Sequence, residues 1–338
     1  MKILLVKLSS LGDVIQTIPV VHDLRLAFPG VIIDWVVEEA FAPLVARVSG
    51  VRRVLPIAER RWRKSRWQAA TQRERKAFLA DLQREAYDAV IDFQGLIKSA
   101  LVARRARLAP GGFRATYANA SDACSYEWPV RWLLDRLVPM PKRIHAVARY
   151  RALAAGALAY PPGNVPVYDW LHGEQTPGLS SDARTVVLAH GTTRPDNEWP
   201  EACWIALGQR LIAQGYRVAL PQAGGPELAL ANRLAAALGP HAQVWPQLTL
   251  AQVLDRMASA AGVVGVDSGL SHMAVALGLP HVQIFSQPRA WRAGPVGHLH
   301  QVAVGGDAAP NVDAVWQAWQ QVVARGIGPQ ADIVKAAV

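Results

Sequence analysis

Short apolar runs rich in β-branched residues alternate with longer helical patterns along the chain, and this alternation starts twice. In the first half, the runs are KILLVKL (2–8), VIIDWVV (31–37), RVLPI (53–57) and DAVIDF (88–93). In the second half, they are RTVVLAH (184–190), RVALP (217–221), QVW (243–245), GVVGV (262–266) and HVQIF (281–285). Strands that alternate with helices predict parallel sheets joined by right-handed crossovers. The sequence therefore predicts an α/β protein with two doubly wound, Rossmann-like sheets that face each other across a cleft.

The length and composition fit two globular domains. The 338 residues exceed what one core usually organises, and residues 160–183 are rich in Pro and Gly without a sustained period, which is typical of a linker. Only two cysteines occur, which favours a reducing compartment. No apolar run approaches the roughly 18 residues of a membrane span, and Lys7 and Asp13 interrupt the apolar N-terminus. We expect a soluble, cytoplasmic and monomeric protein.

The positive charge of the chain is concentrated in its first half. Residues 1–160 hold 26 Lys+Arg and 14 Asp+Glu, a net charge of +12, whereas residues 161–338 hold 10 and 12, a net charge of −2. Residues 47–84 alone hold 12 basic and 3 acidic side chains. Such a patch is either a solvated surface or a binding site for nucleic acid, an anionic membrane or a substrate with carboxylates or phosphates. Trp62 and Trp67 argue against a purely solvated segment.

The loop after the first predicted strand, Ser9–Asp13, is a candidate site because ligands of such sheets bind beyond the carboxyl ends of the strands. Gly12 allows a sharp turn, and the small Ser9 and Ser10 leave room beside it. Asp13 stands where a helix begins. Its carboxylate is therefore either an N-cap or a group that accepts a proton from an attacking hydroxyl.

Loops after strands of the second half suit an anionic nucleotide. In VDSGLSH (266–272), Asp267, Ser268 and Gly269 precede a helix whose free backbone N–H groups favour phosphate. HGTTRPDNEWP (190–200) adds two threonine hydroxyls and a guanidinium. In LPQAGGPE (220–227), Glu227 either faces the helix dipole or accepts the hydroxyls of a ribose.

Other kinds of site find little support in the sequence. The dinucleotide and P-loop glycine patterns are absent, which argues against an oxidoreductase or a nucleotide-sugar-binding module that depends on a dinucleotide fingerprint. In GVDSG the serine stands one place too late for a nucleophile elbow, which argues against a serine hydrolase. There is no D-x-D, no H-E-x-x-H and no Cys/His spacing suited to zinc. We therefore expect no metal and no other cofactor.

The chain resembles the bacterial lipopolysaccharide heptosyltransferases, which are glycosyltransferases of family 9. The resemblance extends from Met1 to about residue 286 and is carried by KLSSLGDVIQTIP, VIIDWVVEE, RRWRK, YDAVIDFQGLIKSA, HGTTRPDNEWP and VDSGLSHMAVALGLP. It implies the GT-B fold and an inverting reaction that needs no metal. It also implies an acceptor-binding domain over residues 1–165, a domain over 166–311 that binds ADP-heptose, and a C-terminal helix (312–338) that packs back on the first domain.

The resemblance also assigns roles to individual residues. Asp13 matches the base that would deprotonate the O5 hydroxyl of the first Kdo of Kdo2-lipid A. Ser9, Ser10 and Gly12 are the supporting residues beside it, and Arg194 is a supporting residue in the loop 190–200. The positions that match the ADP-heptose site are Thr192, Thr193, Asn197, Glu227, Leu248, Asp267, Ser268, Gly269 and His272. Among these, Glu227 would hold the ribose, Leu248 would border the adenine, and the turn from Asp267 to His272 would hold the diphosphate and heptose. The positions that match the acceptor site are Arg60, Arg61, Arg63 and Lys64.

The sequence departs from the family pattern at one donor position and leaves the acceptor open. Family members carry a lysine where this chain has Asn197, so either Arg194 supplies the missing charge or the donor binds more weakly. Residues 108–140 match poorly. The forms RRWRK and SS-x-GD favour Kdo2-lipid A, on the anionic cytoplasmic face of the inner membrane, over an acceptor that already carries heptose. Another GT-B nucleotide-sugar transferase and, more remotely, a nucleic-acid-binding protein are the alternatives; we expect no nucleic-acid partner.

Overall fold

The computed structural model describes residues 1–170 and 184–326. Within these residues the chain forms two units: Met1–Gly163 belong to the first, and the residues from 184 onward belong to the second. The part of the predicted linker from 171 to 183 lies outside the described residues. Each unit is built around one six-stranded sheet.

The sheet of the first unit is parallel throughout, with the strand order β3-β2-β1-β4-β5-β6. Helices cover the central strands on both faces, which is why the run from Ile3 to Val6 is completely buried and continuously apolar. The strands are β1 (Lys2–Val6), β2 (Ile32–Glu38), β3 (Val51–Ile57), β4 (Ala86–Asp92), β5 (Arg107–Tyr117) and β6 (Arg136–Val138). The helices are α1 (Leu11–Thr17), α2 (Pro19–Ala27), α3 (Ala42–Val45), α4 (Glu59–Trp62), α5 (Ala69–Leu82), α6 (Ile97–Arg105) and α7 (Ala146–Leu158).

The hydrophobic pattern did not predict β5 and β6. β5 contains Pro110, Gly111 and Gly112, and its register against β4 shifts between Tyr87 and Ala89. A Cβ atom on Gly112 would lie 2.6 Å from the carbonyl oxygen of Tyr87, so the two strands approach closely only because this residue is glycine. The proline and glycines that resemble a loop in the sequence therefore form an irregular part of a strand.

The sheet of the second unit repeats the same topology. Its order is β12-β11-β10-β7-β8-β9, again parallel throughout. The strands are β7 (Thr185–Ala189), β8 (Arg217–Leu220), β9 (Ala242–Val244), β10 (Gly262–Val266), β11 (His281–Phe285) and the unpredicted edge strand β12 (Gln301–Gly305). The helices are α8 (Glu201–Ala213), α9 (Gly225–Leu238), α10 (Leu250–Ala258), α11 (Gly269–Ala276), α12 (Ala290–Ala293) and α13 (Val312–Gly326). The prediction of two doubly wound parallel sheets is confirmed.

The C-terminal helix is described only in part, and the expectation that residues 312–338 pack on the first domain stays a prediction. The described part, α13, packs against β11, β12 and α8 of the second unit. Val315, Trp319 and Val322 are buried there, and they recur at the spacing of one helical face. A Cβ atom on Gly262 would lie 2.8 Å from the Trp319 ring, so β10 leaves room for this indole. Residues 327–338 of the predicted helix lie outside the described residues.

No helix within residues 1–170 and 184–326 combines the length and the apolar character that crossing a bilayer requires.

Candidate functional site

The strand order of each sheet reverses beside its first strand. In the first sheet β1 lies next to β4, and in the second β7 lies next to β10. Ligands of doubly wound sheets bind beyond the carboxyl ends of the strands at such a reversal. We call the loops after β1 and β4 the first-unit site, and the loops after β7 and β10 the second-unit site.

Asp13 lies in the first turn of α1 and is held by Ser10. The backbone N–H and the hydroxyl of Ser10 donate to Asp13 Oδ2 at 3.2 and 2.9 Å. Ser10 is the N-cap and α1 begins at Leu11, so Asp13 is the third residue of the helix in a capping box and not the N-cap. The preceding residue, Ser9, donates its backbone N–H to Gln94 Oε1 at 3.2 Å. This bond joins the two loops of the first-unit site.

The second carboxylate oxygen of Asp13 is held by a tyrosine from α7. The hydroxyl of Tyr150 donates to Asp13 Oδ1 at 2.7 Å and accepts from Lys7 Nζ at 3.2 Å. Lys7 is buried just beyond β1 and also donates to the carbonyl oxygen of Phe93 at 3.3 Å. A chain of hydrogen bonds therefore runs from a buried ammonium through a phenol to the carboxylate, and it fixes the orientation of that carboxylate.

A second carboxylate, Asp92, is buried below these loops at the end of β4. Burial raises the pKa of Asp92 to about 6, although the backbone N–H groups of Gln94 and Gly95 and the positive charge of Lys7 all oppose the shift. Those two N–H groups donate to Asp92 at 2.9 and 3.3 Å. Asp92 thus shapes the loop after β4 and provides a negative charge near the buried Lys7 above pH 6.

The basic segment RRWRK is divided between structural and exposed side chains. Arg61 donates two hydrogen bonds to Glu39, at 3.1 and 3.0 Å, and one to Glu74 at 2.8 Å. Trp62 is buried, and its indole N–H donates to the same Glu74 at 2.7 Å. The bonds from Trp62 and Arg61 lower the pKa of Glu74. Arg61 and Trp62 therefore fasten α4 to α5, and the guanidinium of Arg61 is already neutralised.

The other cations of this segment are exposed. Arg60, Arg63 and Lys64 form no ion pair with a carboxylate anywhere in the described parts of the chain. Trp67 is 82% exposed, with the guanidinium of Arg66 4.8 Å from its ring centroid. The two tryptophans of the segment thus have different roles, since Trp62 belongs to the core and Trp67 to the surface. Three predicted acceptor residues are available to an anionic ligand.

Asp267 is the centre of the second-unit site. Its Oδ1 accepts from Gln283 Nε2 at 3.2 Å and lies 3.4 Å from His272 Nε2. Asn197 is buried, and its amide nitrogen lies 3.3 Å from the Asp267 carbonyl oxygen and 3.5 Å from Oδ2. The loops after β7 and β10 are therefore joined through Asn197 and Asp267, and β11 supports them through Gln283.

The N-terminus of α11 completes this part of the site. Ser268 is its N-cap residue, and the buried Ser268 hydroxyl has no hydrogen-bond partner within the described residues. Gly265 of β10 has no space for a side chain, because a Cβ atom there would lie 2.5 Å from Ser271 Oγ. The helix end is thus seated close to the sheet, with its first backbone N–H groups, including that of Gly269, suited to an anion.

Glu227, in the first turn of α9, approaches the loop after β7. A Cβ atom on Gly191 would lie 1.8 Å from Glu227 Oε1, so the carboxylate occupies the space that a side chain would take. Oε2 accepts the backbone N–H of Ala223 at 2.9 Å, and burial raises the pKa of Glu227. Leu248 is half-buried in the loop between β9 and α10.

Arg194 is held by a neighbouring carboxylate. It donates to Asp196 at 3.1 and 2.6 Å, which raises its pKa, and its backbone N–H donates to Thr192 Oγ1 at 3.2 Å. Thr193 is exposed in the same loop. The positive charge of Arg292, in α12, opposes the pKa shift of Arg194, which shows that a second guanidinium lies near it.

Sequence reasoning missed several residues that hold these sites together, among them Lys7, Tyr150, Asp92, Gln94 and Gln283. Lys7 appeared only as an interruption of an apolar run, although a lysine at the buried end of a parallel strand is itself unusual. Tyr150 lies 137 residues from Asp13, so no local spacing connects them.

The chemical groups at the second-unit site are of kinds that can bind a nucleoside diphosphate. They comprise a helix N-terminus, hydroxyls and a carboxylate that can accept ribose hydroxyls. In the ranges 1–170 and 184–326, no group of three or more His, Cys, Asp or Glu side chains could hold a metal ion.

Comparison with protein families and solved structures gives one consistent result. The model of glycosyltransferase family 9 (heptosyltransferase) matches residues 75–315. The lipopolysaccharide heptosyltransferase 1 of Pseudomonas aeruginosa is 41% identical over 312 residues, which cover 91% of this chain and 84% of that protein. The enzyme of the same name from Escherichia coli K12 is 39% identical over 287 residues, covering 84% of this chain and 88% of that protein.

The solved structures agree with the sequence relatives. The structure of E. coli heptosyltransferase WaaC with ADP has a TM-score of 0.82 and 35% identity, covering 95% of this chain and all of that one. The structure of WaaC with ADP-2-deoxy-2-fluoro heptose has a TM-score of 0.76 and 36% identity, covering 94% and 98%. Together with the two six-stranded parallel sheets, this similarity confirms the predicted GT-B fold.

Proposed function

Because the chain belongs to glycosyltransferase family 9, we propose that it transfers heptose from ADP-heptose to Kdo2-lipid A during synthesis of the lipopolysaccharide inner core. Relatives that are 39–41% identical over most of the chain and carry the name lipopolysaccharide heptosyltransferase 1 support this assignment. The observation that carries it is the position of the polar residues. Asp13 and its partners lie at the strand-order reversal of the first sheet, and Asp267 and Ser268 lie at that of the second.

ADP-heptose is the donor in this proposal, and the second-unit site binds it. The N-terminus of α11 and the Ser268 hydroxyl receive the diphosphate, because free N–H groups and the helix dipole favour negative charge. Glu227 accepts the ribose hydroxyls, and Leu248 borders the adenine. The remaining predicted residues contact the diphosphate or heptose: Thr192, Thr193, Asn197, Asp267, Gly269 and His272. The complexes of WaaC with ADP and with a fluorinated ADP-heptose support a donor of this chemical class.

The reaction inverts the configuration of the anomeric carbon. Asp13 takes the proton of the O5 hydroxyl of the first Kdo while that oxygen attacks the anomeric carbon of the heptose. The bond from this carbon to the diphosphate breaks, and ADP leaves with the electron pair. Tyr150 and Ser10 position the carboxylate through hydrogen bonds to opposite oxygens. The developing charge on ADP is stabilised by the N-terminus of α11 and nearby cations, without a metal.

The acceptor is anionic, and the exposed cations of the first unit bind it. Arg60, Arg63 and Lys64 attract the carboxylates of Kdo and the phosphates of lipid A. Arg61 has a different role, because Glu39 and Glu74 already neutralise it and it holds the segment in place. Lipid A is anchored in a bilayer, so the protein works at the cytoplasmic face of the inner membrane.

Product analysis by mass spectrometry tests this function. The purified protein is incubated with ADP-heptose and, in separate reactions, with Kdo2-lipid A or its heptosylated form in detergent micelles. We expect one heptose to be added to Kdo2-lipid A, with the same yield in the presence of EDTA. Addition only to the heptosylated acceptor would reassign the enzyme to the next step, and an effect of EDTA would refute metal independence. Tight binding of duplex DNA without transfer would favour the nucleic-acid alternative.

A further inference from the structure

Two large aromatic side chains are exposed side by side on the first unit. Trp128 and Trp132 are 60% and 72% exposed, in the 3₁₀ helix Trp128–Trp132 that lies between β5 and β6. Their rings contact each other edge to face, with centroids 4.6 Å apart. Exposed tryptophans that pack on each other and not on the core mark an interaction surface, because they leave a large apolar area in water.

Helix α6 extends this apolar area. Ile97 and Leu101 lie one turn apart on α6, and each is 38% exposed. Two hydrogen bonds fix α6 to the segment that carries the tryptophans. Glu127 accepts the backbone N–H of Ile97 at 2.6 Å, and Arg104 donates to the carbonyl oxygen of Leu133 at 3.2 Å. We call the surface formed by Ile97, Leu101, Trp128 and Trp132 the α6–tryptophan face.

Cations without carboxylate partners surround this face. Lys98 and Arg105 of α6 and Arg131 of the 3₁₀ helix are exposed. None of the three forms an ion pair with a carboxylate in the portions of the chain that the structure describes. Elsewhere on the first unit, Arg52 and Arg61 are neutralised by neighbouring carboxylates. The charge around the α6–tryptophan face is therefore available to an external anion.

A groove beside the α6–tryptophan face is also lined by apolar and cationic side chains. It has a volume of about 520 Å³ and runs along α5 and α6. Apolar side chains that line it include Trp62, Phe78 and Leu101, and its cations are Arg75, Lys76, Lys98 and Arg105. Leu101, Lys98 and Arg105 belong to both surfaces, so the groove continues the face. One carboxylate, Glu59, also lines the groove, so its four cations leave a net positive charge beside apolar side chains, which suits a lipid with an anionic head group.

We propose that the α6–tryptophan face docks the protein on a bilayer that contains anionic phospholipid. Trp128 and Trp132 enter the interface between head groups and acyl chains, where amphipathic indoles are stable, and the three cations contact lipid phosphates. The inference deepens the proposed function, on which it rests for the identity of the membrane. Docking itself requires no transferase activity.

Binding to lipid vesicles tests whether the α6–tryptophan face docks the protein on a membrane. The full-length protein is sedimented with vesicles of pure phosphatidylcholine, or of equal parts phosphatidylcholine and phosphatidylglycerol. We expect binding to the anionic vesicles only. Replacing both Trp128 and Trp132 by Ser should lower the partition coefficient at least about tenfold. Replacing Lys98, Arg105 and Arg131 by Gln should lower it on the order of 100-fold, because each charge near an anionic surface contributes about fivefold.

Matched controls separate docking from folding and from catalysis. Leu26→Ser removes an apolar side chain that is 66% exposed on α2 of the same unit, and it should leave binding unchanged. In the doubly substituted tryptophan variant, the melting temperature and the turnover of acceptor in detergent micelles should equal those of the parent, whereas turnover of vesicle-bound acceptor should fall. If the parent transfers no heptose but binds anionic vesicles through this face, the proposed function fails and the docking surface stands.

Two results would overturn the docking surface. One is vesicle binding that does not change when the tryptophans or the three cations are replaced. The other is concentration-dependent dimerisation, seen by analytical ultracentrifugation, that the tryptophan substitutions abolish while vesicle binding persists; the face would then contact a second copy of the chain. Quenching by brominated lipids provides an independent readout, and the loss of quenching in the Trp128→Phe, Trp132→Phe double variant would support insertion of these two rings.

Discussion

Replacing Tyr150 by Phe removes one hydroxyl and tests whether Asp13 needs the support seen in the first-unit site. That hydroxyl donates to Asp13 Oδ1 at 2.7 Å and accepts from Lys7 at 3.2 Å. The phenylalanine ring keeps the packing of Tyr150 against Phe93, whose ring centroid lies 6.3 Å away. Lys7 retains its bond to the carbonyl oxygen of Phe93. The substitution therefore removes the hydrogen bond to the carboxylate and the bond from Lys7, while the ring packing remains.

The expected loss follows from the kind of hydrogen bond that is removed. A hydrogen bond to a charged group contributes about 1.5–3 kcal/mol, roughly twice a neutral one. If the bond is needed to hold Asp13 in the geometry of proton transfer, this energy is lost from the transition state. It corresponds to a decrease in kcat of about 10- to 100-fold. Ser10 still holds the other oxygen, which is why the loss should be smaller than that from removing the carboxylate.

Steady-state kinetics distinguish positioning from general destabilisation. We expect Tyr150→Phe to lower kcat while the KM for ADP-heptose stays within about twofold, since the residues proposed to bind the donor lie on the other unit. The matched control is Tyr117→Phe, which removes a buried hydroxyl that donates to the Phe93 carbonyl oxygen at 3.3 Å and not to Asp13. It should have a similar melting temperature and nearly the parental kcat. Equal kcat values for Tyr150→Phe and the parent would refute the positioning role.

Four further predictions concern other parts of the protein. Asp13→Asn should lower kcat by about 10²–10⁴-fold, the usual effect of losing a general base, with ADP-heptose affinity by calorimetry nearly unchanged; a variant that keeps a tenth of the rate would exclude this role. Replacing Arg63 and Lys64 by Glu should raise the KM for Kdo2-lipid A at least about tenfold without changing that for ADP-heptose, and equal changes in both constants would contradict an acceptor site. Gly191→Ala should displace the Glu227 carboxylate and raise the KM for ADP-heptose about tenfold, with little loss of thermal stability. An unchanged KM would argue against ribose binding by Glu227. Burial lowers the pKa of His281 from 6.5 to about 4, so its contribution to stability is complete above pH 6.5 and is lost as the pH falls toward 4. His281→Gln should therefore reduce the change in unfolding free energy between these two pH values by up to about 3 kcal/mol, measured by urea denaturation. An equal pH dependence in both proteins would refute the lowered pKa of His281.

The alternation of strands and helices was sufficient to predict two doubly wound sheets. This pattern is visible locally, because a strand buried on both faces is continuously apolar and the helices between strands have their own period. The same reasoning placed Ser9–Asp13 and Asp267–His272 in loops after strands, which the structure puts at the two strand-order reversals. It failed at β5, where Pro110 and Gly112 resemble a loop although they form an irregular strand.

Contacts between residues that are distant in the sequence are determined only by the tertiary structure. The periodic apolar positions of α13 show that one face is buried, but only the space left by Gly262 shows that Trp319 enters the second unit. In RRWRK, the four cations look equivalent as a charged run, yet Glu39 and Glu74 neutralise Arg61 whereas Arg60 is exposed without an ion pair to a carboxylate among the described residues. The spacing of apolar residues shows which face of a helix or strand is buried, and this spacing is visible within a single segment. Ion pairs and hydrogen bonds depend on two positions at once, and only the folded chain brings those positions together.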